Sequence, residues 1–296
     1  MRWFEAKEQA AGRKRLLLTW WLYKRFGKNS VKLVAFCVTF FAFCFAGKAR
    51  KYSREYLKIV GLNPCIVNQF KHFLSYSLSL VDKMEVFSGN YDFKKISFAK
   101  DEEKAQLYED LSAKKGVFFI CSHLGNTDIM RAFLSNNTSN TEVNVFLSEA
   151  HCKVFNDFIR KISTVDMVKT YAVEEIDPTV AFRLKDSLDK GGIAFMAGDR
   201  ISPNNLDATL VAKLFDRDVL FPKGVFKLAQ LMEVPIYFIA ALKSQECYTI
   251  HLKRFEKSAE GQKVASQMCK EYATFLEQKT HLAPLQFYNF YNIFDQ

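Results

Sequence analysis

The chain has 296 residues, 49% of them hydrophobic and 25% charged, which excludes a disordered or collagen-like protein and permits one large domain or two small ones. Its net charge of +10 is uneven: residues 1–58 hold 14 Lys/Arg against Glu5, Glu8 and Glu55, a net of +11, and the remainder nets −1. A basic end points to nucleic acid or an anionic membrane surface, while seven cysteines without CxxC spacing argue against a disulfide framework or a zinc site.

The basic end is also apolar. Leu16–Tyr23 and Leu33–Ala46 are hydrophobic runs flanked by Lys14, Arg15, Lys24, Arg25, Lys28, Lys32, Lys48 and Lys51. A spanning helix needs about 20 apolar residues, and neither run reaches that. Both suit an interfacial or re-entrant helix whose Lys/Arg side chains reach the headgroups, with Trp3, Trp20 and Trp21 at the same depth. Two core helices of a soluble protein are the alternative. No helix-turn-helix or zinc pattern accompanies the basic residues, so an anionic membrane surface is the expected partner and nucleic acid is not. A cleaved signal peptide fits poorly, since its charged leader would be about 30 residues long and no A-x-A site follows.

After Asn63-Pro64, apolar residues at helical spacing predict a helix to about Val86, and a polar helix follows at 101–113. Strands are then predicted at Val117–Cys121, Val143–Leu147, Val165–Tyr171 and Ile193–Ala197, with helices at 127–135, 151–161 and 178–189 between them. A helix at 223–232, strands at Pro235–Leu242 and Tyr248–Lys253, and a helix at 261–279 complete the chain. Strands alternating with helices predict an α/β fold, with a mostly parallel central sheet covered by helices. Residues 1–60 are expected to form a membrane-associated helical segment and 61–296 one domain. In such sheets chemistry gathers beyond the carboxyl ends of the strands, which directs attention to the segments after Cys121, Leu147 and Ala197.

The first of these reads Cys121-Ser-His-Leu-Gly-Asn-Thr-Asp128. His123 and Asp128 are five apart, so within one helix they would lie on different faces. They can meet if the chain turns at Gly125-Asn126, with His123 on the loop and Asp128 in the first turn of the next helix. The carboxylate would then set the imidazole tautomer, leaving the other nitrogen to take a proton from an attacking hydroxyl or amine. The same residues also fit a structural histidine beside an ordinary N-terminal helix acid. Cys121, two residues before His123, allows a thiol–imidazole pair, although buried cysteines are mostly inert packing. His72, His151, His251 and His281 have no metal-ligand spacing, so no catalytic metal is expected.

A strand followed by HLGNTD resembles the first block of the lysophospholipid acyltransferase superfamily, whose signature is HxxxxD/E. The form Ser122-His123-Leu124-Gly125-Asn126 is similar to the bacterial branch that includes the late acyltransferases of lipid A biosynthesis. The likeness extends through Lys51–Leu57, Gly198-Asp199-Arg200, Phe221-Pro222-Lys223-Gly224 and the aromatic tail from Ala283 to Tyr291. It implies a glycerol-3-phosphate acyltransferase-like fold at the cytoplasmic face of a bacterial inner membrane, peripheral or monotopic. It also implies an acyl donor on acyl carrier protein or coenzyme A, a lipid or glycolipid acceptor, and no cofactor. His123 and Asp128 take the catalytic places. Arg200, held by Asp199, would bind an anionic group. Asn126 and Gly125 would support the loop, although Asn126 also fits a simple helix cap. Lys223 and Gly224 would offer a helix N-terminus to phosphate, or merely connect strand to helix. The lipid A enzymes usually carry Glu where Asp128 stands, which implies a sibling subgroup with a different acceptor. A lipid-ester hydrolase and a non-catalytic lipid-binding protein are the competing functions. The tail Phe287–Phe294 reads as core packing or as a lid over an apolar groove.

Overall fold

The protein is seen in a computed structural model that describes residues 13–137, 141–147, 154, 157–159, 161–163, 168–201, 206–258, 260–261 and 263–294. The N-terminal apolar runs fall on either side of a kink in α1 (Arg13–Phe45), two helical stretches that meet at Gly27, whose φ of 77° suits only glycine well. Over Leu16–Phe45 it is long and apolar enough to cross a membrane by length and composition, longer than either run alone. Trp21, Leu33, Phe36, Phe41 and Phe45 are exposed on it, Phe45 at 88%. The helix is not detached from the rest. Lys28 pairs with buried Asp82 at 3.3 Å and with Glu85, and Lys32 reaches Glu246 at 2.6 Å.

Helices α2 (Gly47–Ile59), α3 (Ile66–Phe87) and α4 (Asp101–Ser112) follow. Asp101, Glu102 and Glu103 place negative charge at the N-terminus of α4, where the helix dipole favours it. The sheet then builds from β1 (Ile96–Phe98), β2 (Val117–Cys121), β3 (Val143–Leu147), β4 (Val168–Ala172), β5 (Ile193–Ala197), β8 (Ile236–Ser244) and β9 (Cys247–Arg254), in the order β1-β9-β8-β2-β5-β3-β4. Every pairing is parallel except the β8–β9 hairpin. Around the sheet lie α5 (Thr127–Asn137), α6 (Pro178–Asp189), α7 (Lys223–Met232) and α8 (Lys263–Leu282). The helix expected at 151–161 lies only partly within the described residues, and those that are described there are helical.

Both faces of the sheet are buried, which is why its central strands read as unbroken apolar runs. Phe118 and Ile120 of β2 join Ala194 and Met196 in the cluster with α7 and α8. Their neighbours Val117 and Phe119 join Ile193 and Phe195 on the opposite face, against Ile129 and Met130 of α5. A two-stranded hairpin, β6 (Thr209–Leu214) with β7 (Arg217–Pro222), was not foreseen. Its turn holds Phe215 and Asp216 both at positive φ, 53° and 59°. That backbone normally signals itself as Asn-Gly, and Phe-Asp conceals it.

Candidate active site

Strands β2 and β5 run parallel in register, with Cys121 opposite Ala197. His123 lies two residues beyond the first strand end and Asp199 two beyond the second. Equal offsets on paired parallel strands bring the two side by side at the carboxyl edge, and the Gly198 N–H donating to Cys121 O at 2.9 Å keeps the chains adjacent past the last ladder pair. Gly198 is needed for this approach, because a Cβ there would sit 2.8 Å from Ile120 Cγ2.

The carboxylate of Asp199 is fully buried (0% exposed) and holds the histidine twice. Its Oδ2 accepts the His123 backbone N–H at 2.9 Å, and its Oδ1 accepts from Nδ1 at 3.0 Å. An ionised carboxylate only accepts, so Nδ1 carries the proton and Nε2 is the basic nitrogen. The His123 side chain is 37% exposed, which lets that nitrogen meet a substrate. Burial and the Arg200 charge hold the imidazole pKa below its ordinary value despite the pull of Asp199. Asp199 is buried too, but the His123 charge and hydrogen bonds, with Arg200, hold its carboxyl below the usual range. At neutral pH the pair is therefore a neutral imidazole on an ionised aspartate, the state a general base requires.

This corrects the expected pairing. Asp128 does sit in the first turn of α5, but it binds Lys83 of α3 at 2.5 Å and Arg131 one turn on. It fastens α5 to α3, and the imidazole partner is Asp199, the residue expected to hold Arg200. The signal lay in the matched strand offsets rather than in the local HxxxxD spacing.

The other loop residues act on the backbone. Gly125 has φ of 72°, and a Cβ there would meet Ala241 O at 2.0 Å, so no other residue fits the turn. Asn126 does not serve merely as a cap: its amide donates to Ser79 O of α3 at 3.1 Å, while its N–H donates to Ala241 O at 2.9 Å. Arg200 lies 5.3 Å from the Tyr291 ring centroid, beside Asp199 in sequence. Lys223 and Gly224 open α7 at exposed positions, and the Lys223 N–H donates to Ala208 O at 2.9 Å, at the base of the hairpin rather than in the His123 loop. Burial pushes the Cys121 thiol up to about 12, which leaves it protonated and a poor nucleophile.

The C-terminal tail is part of the site. The Gly125 N–H donates to Gln286 O at 2.8 Å, the Tyr288 N–H donates to His123 O at 3.1 Å, and Leu124 bridges Phe287 in antiparallel fashion. The tail thus clamps the histidine loop. Buried His72 of α3 holds the tail in turn: Nε2 donates to Phe287 O at 2.9 Å, so Nδ1 accepts from the Ser53 hydroxyl at 3.0 Å. The spacing of His72 from the other histidines carries no sign of this role, which rests on contacts with Ser53 and Phe287. Tyr272 adds a hydroxyl bond to Cys121 O at 2.8 Å beneath the loop. The sequence matches no protein-family model and no curated protein.

Proposed function

We propose that this chain transfers a fatty-acyl group from an acyl carrier protein or coenzyme A thioester to a hydroxyl or amine of a lipid or glycolipid at a membrane surface. The observation that supports this reading most is the neutral His123 oriented by buried Asp199 at the carboxyl edge of a parallel sheet. Nε2 takes the proton of the acceptor as its oxygen or nitrogen attacks the thioester carbonyl. The tetrahedral adduct then expels the thiolate, which receives that proton from the imidazolium, and the histidine returns to its starting state. Arg200 would attract the anionic part of donor or acceptor. The exposed apolar face of α1, with its basic flanks, suits delivery of the acceptor from a bilayer. A bacterial inner membrane follows from the motif resemblance, and Asp128 in the place of the lipid A enzymes' Glu favours a lipid or glycolipid acceptor other than theirs.

The test incubates the protein and His123→Ala, in detergent or liposomes, with labelled acyl carrier protein and acyl coenzyme A plus total bacterial lipid. A labelled lipid formed only by the unaltered protein supports transfer. Free fatty acid as its sole dependent product would indicate a hydrolase. No product from either folded protein would leave lipid binding without catalysis.

A further inference from the structure

Helix α2 carries two stripes. Ala49, Ser53, Tyr56 and Leu57 are buried against the protein, while Gly47, Arg50, Lys51 and Arg54 repeat at helical spacing on another face. With Gln69 of α3, the second stripe lines a cleft of about 190 Å³ in which no acid stands. Lys51 has one carboxylate nearby, Glu55 at 3.9 Å, and both side chains are exposed. Arg54 pairs with no acid among the described residues. Arg50 and Arg54 are four apart, a like-charge spacing that costs a helix stability unless an anion joins them. The Arg50 guanidinium lies 4.6 Å from the Phe43 ring centroid, which holds its planar group at the cleft. Gln69 Nε2 donates to Pro64 O at 2.8 Å, so the opposite wall is held as well. Exposed apolar side chains precede each wall in the chain: Phe41 and Phe45 before Gly47, Ile66 and Val67 before Gln69. A cleft of this size takes a phosphate but no acyl chain, so the chains of a lipid bound there must lie outside it.

From these features we infer that the cleft binds the phosphate of an anionic bilayer phospholipid, with Arg50, Lys51 and Arg54 on the phosphate oxygens and the acyl chains along Phe45, Ile66 and Val67. Charge complementarity selects the phosphate, and the apolar side chains beside it select a lipid over a free anion. No residue of the His123 loop or of the C-terminal tail lines the cleft, so this lipid is a fixture that sets how the protein sits on the bilayer and not a reactant. The inference rests on the membrane part of the proposed function and needs no reaction at His123. It places α2 at headgroup depth and adds the first turn of α3 to the bilayer contact, where a lone anchor helix would involve α1 only.

Binding of the full chain to vesicles would be measured by flotation in about 0.5 M NaCl, where the screening length is about 4 Å and diffuse attraction is weak. The vesicles are phosphatidylcholine alone, or phosphatidylcholine with about a third phosphatidylglycerol. The anionic lipid should raise binding about 10-fold, and Arg50→Gln with Arg54→Gln should remove that gain while leaving binding to phosphatidylcholine as it was. Lys48→Gln with Lys58→Gln takes the same charge from α2 outside the cleft, and should change the gain about twofold or less. Arg54→Gln alone, at an exposed side chain, should lose most of the gain, which keeps the test open if the paired variant does not fold. His123→Ala should bind as the unaltered protein does. Equal losses in the two paired variants would show diffuse charge only and overturn the inference. So would a full gain in the cleft variant, or cancellation of the gain by about 50 mM inorganic phosphate at matched ionic strength, which would mark a site for free anions. Binding to neither vesicle would remove the membrane reading itself, and this lipid with it.

Discussion

Replacing Asp199 by Asn tests which carboxylate serves the histidine. The side chain keeps its size and stays in a site with no solvent access. An amide, however, has one acceptor where the carboxylate has two. If its oxygen keeps the His123 backbone N–H, now 2.9 Å from Oδ2, its NH₂ must face Nδ1, 3.0 Å from Oδ1. The imidazole then accepts at Nδ1 and carries its proton on Nε2, so the nitrogen facing substrate is no longer a base. Rotating the amide instead places NH₂ against the backbone N–H, which is repulsive. Loss of the right tautomer and of charge stabilisation for the imidazolium should lower kcat by about 10³–10⁴, or about 4–5 kcal/mol of transition-state stabilisation at 1.36 kcal/mol per decade. Asp128→Asn removes only the anchor to Lys83 and Arg131, and should lower kcat about 10-fold or less through loop position. The assay is single-turnover transfer of labelled acyl group, beside NMR of the His123 ring to report which nitrogen is protonated. If Asp128→Asn is the inactive variant while Asp199→Asn retains near-full kcat and an Nδ1–H signal, the assignment to Asp199 fails.

Four further outcomes follow from the same geometry. Transfer should fall on the acid side with a midpoint below about pH 6.5, the ordinary histidine value, because burial and Arg200 disfavour the imidazolium; a kcat/KM profile with its midpoint above 7 would contradict this. His72, whose pKa burial lowers to about 4, takes up its proton in the unfolded chain first. Its contribution is present above about pH 6.5 and is lost as pH falls towards 4, by about 3 kcal/mol, and denaturant titration of His72→Gln should show a correspondingly flatter acid limb. Gly125→Ala should cost at least about 2 kcal/mol in urea unfolding and most of the activity, since the turn must open to clear Ala241 O. Phe41→Asp with Phe45→Asp should weaken sedimentation with anionic vesicles while leaving the Tm within a degree or two, because both side chains are exposed.

Some of this protein was legible from residue order alone. Val117–Ile120, Ile193–Met196 and Ile236–Ala241 are apolar at every position, too short for buried helices and alternating with amphipathic stretches, so an α/β sheet with strands covered on both faces could be read directly. Gly125 and His123 could be placed at a strand-end turn for the same local reason. Elements whose signals are not local were missed or misassigned. The β6–β7 turn adopts left-handed backbone at Phe215 and Asp216, where tertiary packing overrides residue preference. The two apolar N-terminal runs stay separate helical stretches that meet at the Gly27 kink, as their separation in the sequence suggests, and both pack against α3, Leu16 with Met84 and Phe87 and Phe43 with Phe73. The partner of His123 lies 76 residues away, and its proximity depends on β2 and β5 being neighbours in the sheet, an arrangement no spacing encodes. The roles of His72 and the tail were hidden likewise, since a hydrogen bond across 215 residues exists only once the chain has closed on itself. Local chemistry determined which side chain could act as a base; strand order decided which carboxylate orients it.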